Sequence, residues 1–283
     1  MTTNQTPATE PHTTRAAWDA IAQGYDRTNT PSQMWVAGEG LTAVGLRSGM
    51  RFLDVAAGSG ALSIPAARLG ARVEAIDQSP VMLKLLTDRA RSEKLDVHTR
   101  VMDGHTLEFE DDTFDVAGSQ FGVMLFPDAA RAMREMVRVV RPGGHVLITA
   151  YGDPHQIEFL GFLVTAVQSV RPEFTGPPMD PPPLEFQFAD PEVLRAQLAG
   201  AGLSDVTVVA ITETTPHASG DDLWEWIVWS NPIAEEILSG VLALTGDERT
   251  IVRQRLGELV RERAADEHVA RLTNPVNIGV GTK

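Results

Sequence analysis

Trp18, Ile21, Ala22 and Tyr25 recur at helical spacing, so the chain is expected to turn helical from Thr14. Residues 42–46 read as the end of a second helical stretch, closed by Arg47-Ser48-Gly49. A different rhythm follows. Short apolar runs at 51–56, 73–76, 97–102, 114–119 and 146–150 have the length and composition of buried strands. Helical patterns lie between them. One covers 61–69 and ends at Gly70. A second starts at Ser79-Pro80, where Ser is an N-cap and Pro takes the first helical position. A third covers 129–140 and is stopped by Pro142-Gly143-Gly144. Strands alternating with helices predict a parallel sheet joined by right-handed crossovers.

After Tyr151 the rhythm breaks. Residues 161–170 are apolar and expected to be helical. Residues 171–183 hold six prolines and read as a stiff, irregular connector. Asp190-Pro191 opens another helix, running to Gly200, and 205–211 is a strand. Residues 221–266 are helical, with breaks near Asn231-Pro232 and Gly246, and 275–280 is a last strand. The expected fold is α/β: a Rossmann-like, doubly wound, mostly parallel seven-stranded sheet. It carries an N-terminal helical lid and a helical insertion between the last two strands. The expected organisation is a disordered arm over 1–14, then a core with its lid helices over 15–151. A Pro-rich lid and substrate connector follows over 152–189. Residues 190–220 and 267–283 complete the sheet, and 221–266 form the inserted cap over the acceptor.

Composition narrows the chemistry. The chain has 283 residues and no Cys, which excludes disulfides, thiolate nucleophiles, Cys-ligated zinc and iron–sulfur clusters. Its formal net charge of -14 opposes a large phosphate-backbone footprint, so no nucleic-acid partner is expected. No apolar run reaches the roughly 18 residues of a membrane span. The polar start shows no secretory leader, and a cytoplasmic address is expected. The seven histidines are scattered without metal-ligand spacing, so no metal is expected.

The chemistry concentrates at strand ends. Phe52-Leu53-Asp54-Val55-Ala56-Ala57-Gly58-Ser59-Gly60 carries a strand into a glycine turn and then a helix. Glycines there let backbone approach a ligand, and a helix N-terminus favours polar or anionic groups. Ser63 stands at the third position of a G-x-G-x-x-G fingerprint, so the turn alone fits a dinucleotide loop or a plain tight turn. Asp77 ends the second strand, 19 residues after Gly58, where a carboxylate can accept both hydroxyls of a ribose or simply stand in solvent. Asp103-Gly104 ends the third strand. Three adjacent strands thus present ligand-type residues at their carboxyl ends, where open α/β sheets bind ligands.

This set resembles the class I S-adenosylmethionine (SAM) dependent methyltransferases, in the ubiquinone/menaquinone-biosynthesis-like branch. Residues 54–60 are similar to their first motif, Asp77 to their ribose acid and Asp103-Gly104 to their adenine-contacting element. Phe114-Asp115-Val116 and Arg141-Pro142-Gly143-Gly144 also match. The helix around Trp18 to Asp26 is similar to the lid of that branch. Ala56 departs from the pattern, since many members have Gly there. The resemblance implies SAM as cofactor and S-adenosylhomocysteine as product. It implies a cofactor site built from Tyr25, Asp54, Ala56, Gly58, Gly60 and Asp77. Gln78, Met82, Asp103, Gly104, His105 and Gln120 would complete it, with Met82 stacking on adenine.

The acceptor side is less defined. His155 follows the fifth strand and is a general-base candidate, with a loop or capping role as the plain alternative. Tyr25 is a second catalytic candidate as the lid aromatic. Phe121 and Met124 leave the fourth strand where sulfonium and acceptor should meet. Trp224, Trp226 and Trp229 lie within six residues. Trp224 and Trp226 would roof the acceptor pocket, or would only pack the insertion onto the core. The leading expectation is methyl transfer to a small apolar or aromatic acceptor by positioning and desolvation. Oxygen is the expected receiving atom, with nitrogen, carbon and sulfur open. The alternatives are a nucleotide-dependent oxidoreductase on a similar sheet, a macromolecule modifier and a non-catalytic SAM-binding module. The expected state is monomer or homodimer.

Overall fold

In the computed structural model, residues 14–177, 179–235, 237–238 and 242–283 are described. Apart from Thr14, the arm expected over 1–14 lies outside the described residues. Two helices come first, α1 (Arg15–Thr28) and α2 (Thr30–Ala43). The Thr14 side chain caps α1 by accepting from the Ala17 N–H.

The parallel half is built from β1 (Arg51–Val55), β2 (Arg72–Asp77), β3 (Val97–Val101), β4 (Phe114–Gln120) and β5 (Val140–Tyr151). Their crossovers are α3 (Ser63–Arg68), α4 (Pro80–Glu93) and α5 (Ala129–Val139). Then come α6 (Glu158–Gln168), α7 (Pro191–Gly200), β6 (Ser204–His217), α8 (Gly220–Ser230), α9 (Pro232–Glu235), α10 (Gly246–Ala264) and β7 (Ala270–Thr282). The seven strands lie in the order β3-β2-β1-β4-β5-β7-β6. β7 runs antiparallel to both β5 and β6, and the remaining pairs are parallel. The fold is therefore the Rossmann-like, mostly parallel sheet expected from the alternation. The order reverses at β1 and β4, and this switch point places the ends of β1, β2 and β4 around one crevice.

Two expected boundaries moved for physical reasons. Arg141 to Gly144 fall inside β5, where the pairing jumps from Phe114↔Val140 to Val116↔His145. The Pro-Gly-Gly is thus a bulge, which absorbs extra residues without ending the strand. β6 and β7 extend well past 205–211 and 275–280, pairing as far as His217↔Ala270. Their outer ends bury Glu213, Thr215, His217 and Asn274, polar residues that hid these strands from a reading based on apolar runs.

The molecule has two hydrophobic cores. One fills the sheet and its crossover helices, with Phe52, Phe114 and Leu86 fully buried. The other lies among α6, α8, α10 and the outer end of β7, and includes Leu223, Trp226, Val252 and Leu256. α10 opens with a capping box, in which Thr245 and Glu248 satisfy each other's backbone N–H groups. No helix among the described residues is long and apolar enough to cross a membrane.

Candidate functional site

The glycine turn after β1 is locked by the end of β2. The Gly58 N–H donates to one carboxylate oxygen of Asp77 at 2.8 Å, and the Ser79 N–H donates to the other at 2.8 Å. Asp77 thus fixes the loop while lining the cleft beside it. Burial raises its pKa, opposed by these two N–H bonds. Gly58 has φ +53, and a Cβ there would project into the cleft toward Tyr25 Cε1 at 3.9 Å. Ala56 also adopts a left-handed φ of 59, which accounts for Gly at this position in many members of the resembled family.

Helices α1 and α2 pack beside this turn. Ser79 Oγ accepts from the Met82 N–H and donates to Asp19 of α1. One hydroxyl therefore caps α4 and tethers the lid to the Asp77 corner. On α2, Thr30 Oγ1 and Ser59 Oγ share a hydrogen bond. Tyr25 Oη donates to Gln33 Oε1 at 2.7 Å, and Gln120 Nε2 donates to the Gln33 carbonyl at 3.0 Å. Burial raises the Tyr25 pKa, so its hydroxyl stays neutral.

These elements enclose a cleft with about 1160 Å³ of non-protein space, its open mouth included. Tyr25, Ala56, Gly58, Asp77, Gln78 and Met82 line it, as do Asp103, Gly104, His105 and Gln120. Two expected ligands are not brought to it. Asp54 is fully buried, accepts from Ser63 Oγ at 2.5 Å, and its second oxygen has no hydrogen-bond partner among the described residues. Burial pushes its pKa up to about 7, so it pins α3 from inside the fold. Gly60 faces α4 instead, where a Cβ would meet Leu86 Cδ1 at 2.4 Å. Met102, Leu125 and Phe126 line the cleft without having been singled out in the sequence, and Trp18, singled out there as part of the first helix, lines it too. Each is an ordinary apolar residue, and only the fold brings it to the strand ends.

A second cavity adjoins the first, with about 970 Å³ of space, open solvent included. Trp18, Tyr25, Phe121 and Leu125 line both. Met124 is in its wall, as expected, and Tyr151 stacks on Phe121 with ring centroids 4.7 Å apart. Its roof comes from α6 and α8 through Phe159, Leu163, Ile227 and Asn231. Trp224 and Trp226 do not line it. Trp224 lies beneath the Arg253 guanidinium at 5.9 Å. Trp226 packs behind Phe159 at 4.8 Å and beside His217 at 5.8 Å. Both tryptophans fill the second core, and Phe159 stands between Trp226 and the cavity. His155 stays outside as well. Its side chain is 82% exposed, with Nδ1 at 2.9 Å from Asp153 Oδ1. Tyr151 could have been found in the sequence, since it ends the fifth strand. Glu185 and Asn231 carry no such signal.

The geometry agrees with the comparisons. Residues 53–148 match the family model of a methyltransferase domain. An uncharacterised protein of Mycobacterium tuberculosis is 37% identical over 136 residues, 48% of each chain. A demethylmenaquinone methyltransferase of Streptomyces griseus is 33% identical over 150 residues, 51% of this chain and 63% of that one. The chain spans about half the length of the first curated relatives it matches. Among solved structures, the YcgJ protein of Bacillus subtilis superposes with a TM-score of 0.55 at 16% identity, covering 87% of this chain and 97% of that one. Residues 53–148 run from β1 into β5, so the part of the chain similar to a methyltransferase domain is the part that builds most of the strand-end cleft. The likeness to demethylmenaquinone methyltransferases covers about half of the chain.

Proposed function

We propose that the protein transfers a methyl group from SAM to a small apolar or aromatic acceptor, with oxygen as the receiving atom. The observation that carries this reading is the shared wall. Tyr25 and Phe121 belong at once to the cleft locked by Asp77 and to the aromatic cavity beside it. When bound, SAM supplies a methyl carbon made electrophilic by a sulfonium.

The residues in the cleft fit such a cofactor. Asp77 spends one lone pair per oxygen on the loop and keeps others for ribose hydroxyls. Met82 and Phe126 offer apolar faces for a purine, and Asp103 offers an acceptor for its amino group. The bare Gly58 leaves room beside the lid aromatic.

The cavity then holds the acceptor. Burial raises the pKa of both Tyr25 and Tyr151, so their hydroxyls remain neutral hydrogen-bonding groups able to orient a nucleophile. The cap excludes water from the shared wall, and rate enhancement comes from alignment in a dry site.

Thermal unfolding with SAM, S-adenosylhomocysteine and NADH tests this. At about 100 times Kd, a bound ligand adds roughly 2.7 kcal/mol, some 5–10 °C for a domain of this size. The expected result is a shift with the two SAM-type ligands, no shift with NADH, and loss of the shift in Asp77→Ala. A shift with NADH alone would overturn the reading in favour of the oxidoreductase.

A further inference from the structure

Tyr25 stands where the two spaces meet and lines both. Its ring edge faces the glycine turn, where a Cβ on Gly58 would come within 3.9 Å of Cε1. Its hydroxyl has a single proton to give, and that proton goes to Gln33 Oε1 at 2.7 Å. Gln33 is 4% exposed and lines the second cavity. Two bonds fix its backbone. Its N–H donates to the Asn29 carbonyl at 3.1 Å, and its carbonyl accepts from Gln120 Nε2 at 3.0 Å. Neither uses the Gln33 side chain. An amide oxygen that takes the Tyr25 proton leaves the phenol oxygen with lone pairs only, and leaves the amide nitrogen as the donor end of the pair. The two side chains therefore offer a ligand one receiving oxygen and one donating nitrogen.

We infer that Gln33 is a positioning residue that holds Tyr25 in its proton-receiving state, and that the pair selects a methyl acceptor bearing an uncharged hydroxyl. A hydroxyl fits both ends, donating to Tyr25 Oη and accepting from Gln33 Nε2. An ammonium cannot accept from Gln33. A carbonyl cannot donate to Tyr25 and sets lone pair against lone pair there. An apolar group leaves both polar ends unpaired in a buried place, which is costly. A hydroxyl held by two fixed partners also keeps a further lone pair, in a direction those partners set. The value of that alignment rests on the methyl-transfer reading, but the binding preference itself does not.

The test uses three probes of one body and nearly one size. 4-Phenylbenzyl alcohol donates and accepts, 4-phenylbenzaldehyde only accepts, and 4-ethylbiphenyl does neither. Binding is measured by calorimetry to the full chain at pH 7.5, with and without S-adenosylhomocysteine. The alcohol is expected to bind about tenfold more tightly than the aldehyde, the scale of one buried hydrogen bond, and more tightly still than the hydrocarbon. Gln33→Met keeps the length of the side chain and the Tyr25 hydroxyl but frees the hydroxyl proton. There the advantage of the alcohol over the aldehyde should shrink to within threefold, and Tyr25→Phe should bring the same collapse. Loss of all three probes by one factor in Gln33→Met would reduce Gln33 to a packing role and overturn the inference. An aldehyde that matches the alcohol in the unmodified chain, or an alcohol advantage that survives Gln33→Met, would overturn it as well. The order in the unmodified chain decides the question even if a variant fails to fold. Failure of S-adenosylhomocysteine to bind would instead count against the methyl-transfer reading and leave the order of the probes readable.

Discussion

The strand-end cleft and the aromatic cavity beside it are built in opposite ways. The cleft is assembled from consecutive strand ends, each contributing a short run with a backbone role: Ala56 to Gly58, Asp77-Gln78, Asp103 to His105, and Gln120 to Gly122. The cavity draws on α1, α2, the exit of β4, β5, α6, the proline-rich connector and the α8–α9 corner. The cleft depends on loop conformation and one carboxylate that ties two turns together. The cavity depends on how separate segments dock. Damage to the cleft should therefore be local and severe, whereas damage to the cavity should arise from changes in packing between distant elements.

The largest effect is expected from Asp77→Ala. It removes the acceptor of two backbone N–H groups as well as the proposed ribose partner. Affinity for S-adenosylhomocysteine should fall at least 100-fold by calorimetry, about 2.7 kcal/mol or more. Binding of an uncharged aromatic probe, 4-phenylbenzyl alcohol, in the adjoining cavity should stay within threefold. Equal loss of both would erase the distinction between the two regions.

Next comes the joint between lid and cap. Gly24 sits inside α1, and a Cβ there would lie 2.2 Å from Trp229 Cδ2. Gly24→Ala must push α1 off α8, and overpacking of this kind costs about 1–3 kcal/mol. The Tm should fall by several degrees, and kcat/KM with any competent acceptor should drop about tenfold, because Tyr25 is the next residue on the displaced helix. An unchanged kcat/KM would show that the lid acts without the cap.

A smaller effect concerns pH. Glu213 is 1% exposed, accepts from Asn274 Nδ2 at 3.2 Å, and burial pushes its pKa up to about 7. A carboxyl raised above its unfolded value binds more protons in the folded state. Folding stability therefore falls as pH rises from about 4.5 to 7, then levels off. Asp54 shares this window. Glu213→Gln cannot ionise, so it should match the unmodified chain near pH 5 and be more stable near pH 8. The gain should be on the order of 2 kcal/mol. Denaturant midpoints at the two pH values decide this, and a smaller gain at pH 8 than at pH 5 would contradict the assignment.

The smallest expected effect is His155→Ala. With its ring exposed and Nδ1 held by Asp153 of its own turn, kcat/KM should stay within twofold across pH 6–8. A tenfold loss would return this histidine to the mechanism.

The sequence alone determined the sheet, its crossovers and most of the cofactor cleft. Alternating apolar runs define strands locally, and residues at strand ends in an open α/β sheet face the same crevice, so Gly58, Asp77 and Asp103 could be placed from order and spacing. Tertiary structure decided what spacing cannot express. Asp54 and Gly60 share the motif's strand and turn but point inward, because α3 and α4 pack against that side. Trp224 and Trp226 look like pocket aromatics in the sequence, yet the docking of α10 and β7 turns them into the second core. Glu185 and Asn231 lie 46 positions apart in regions without a regular pattern, and meet only because the connector folds back under the cap. The cleft is set by local backbone geometry, and the cavity by the mutual packing of remote segments. For that reason the first was legible in the chain and the second was not.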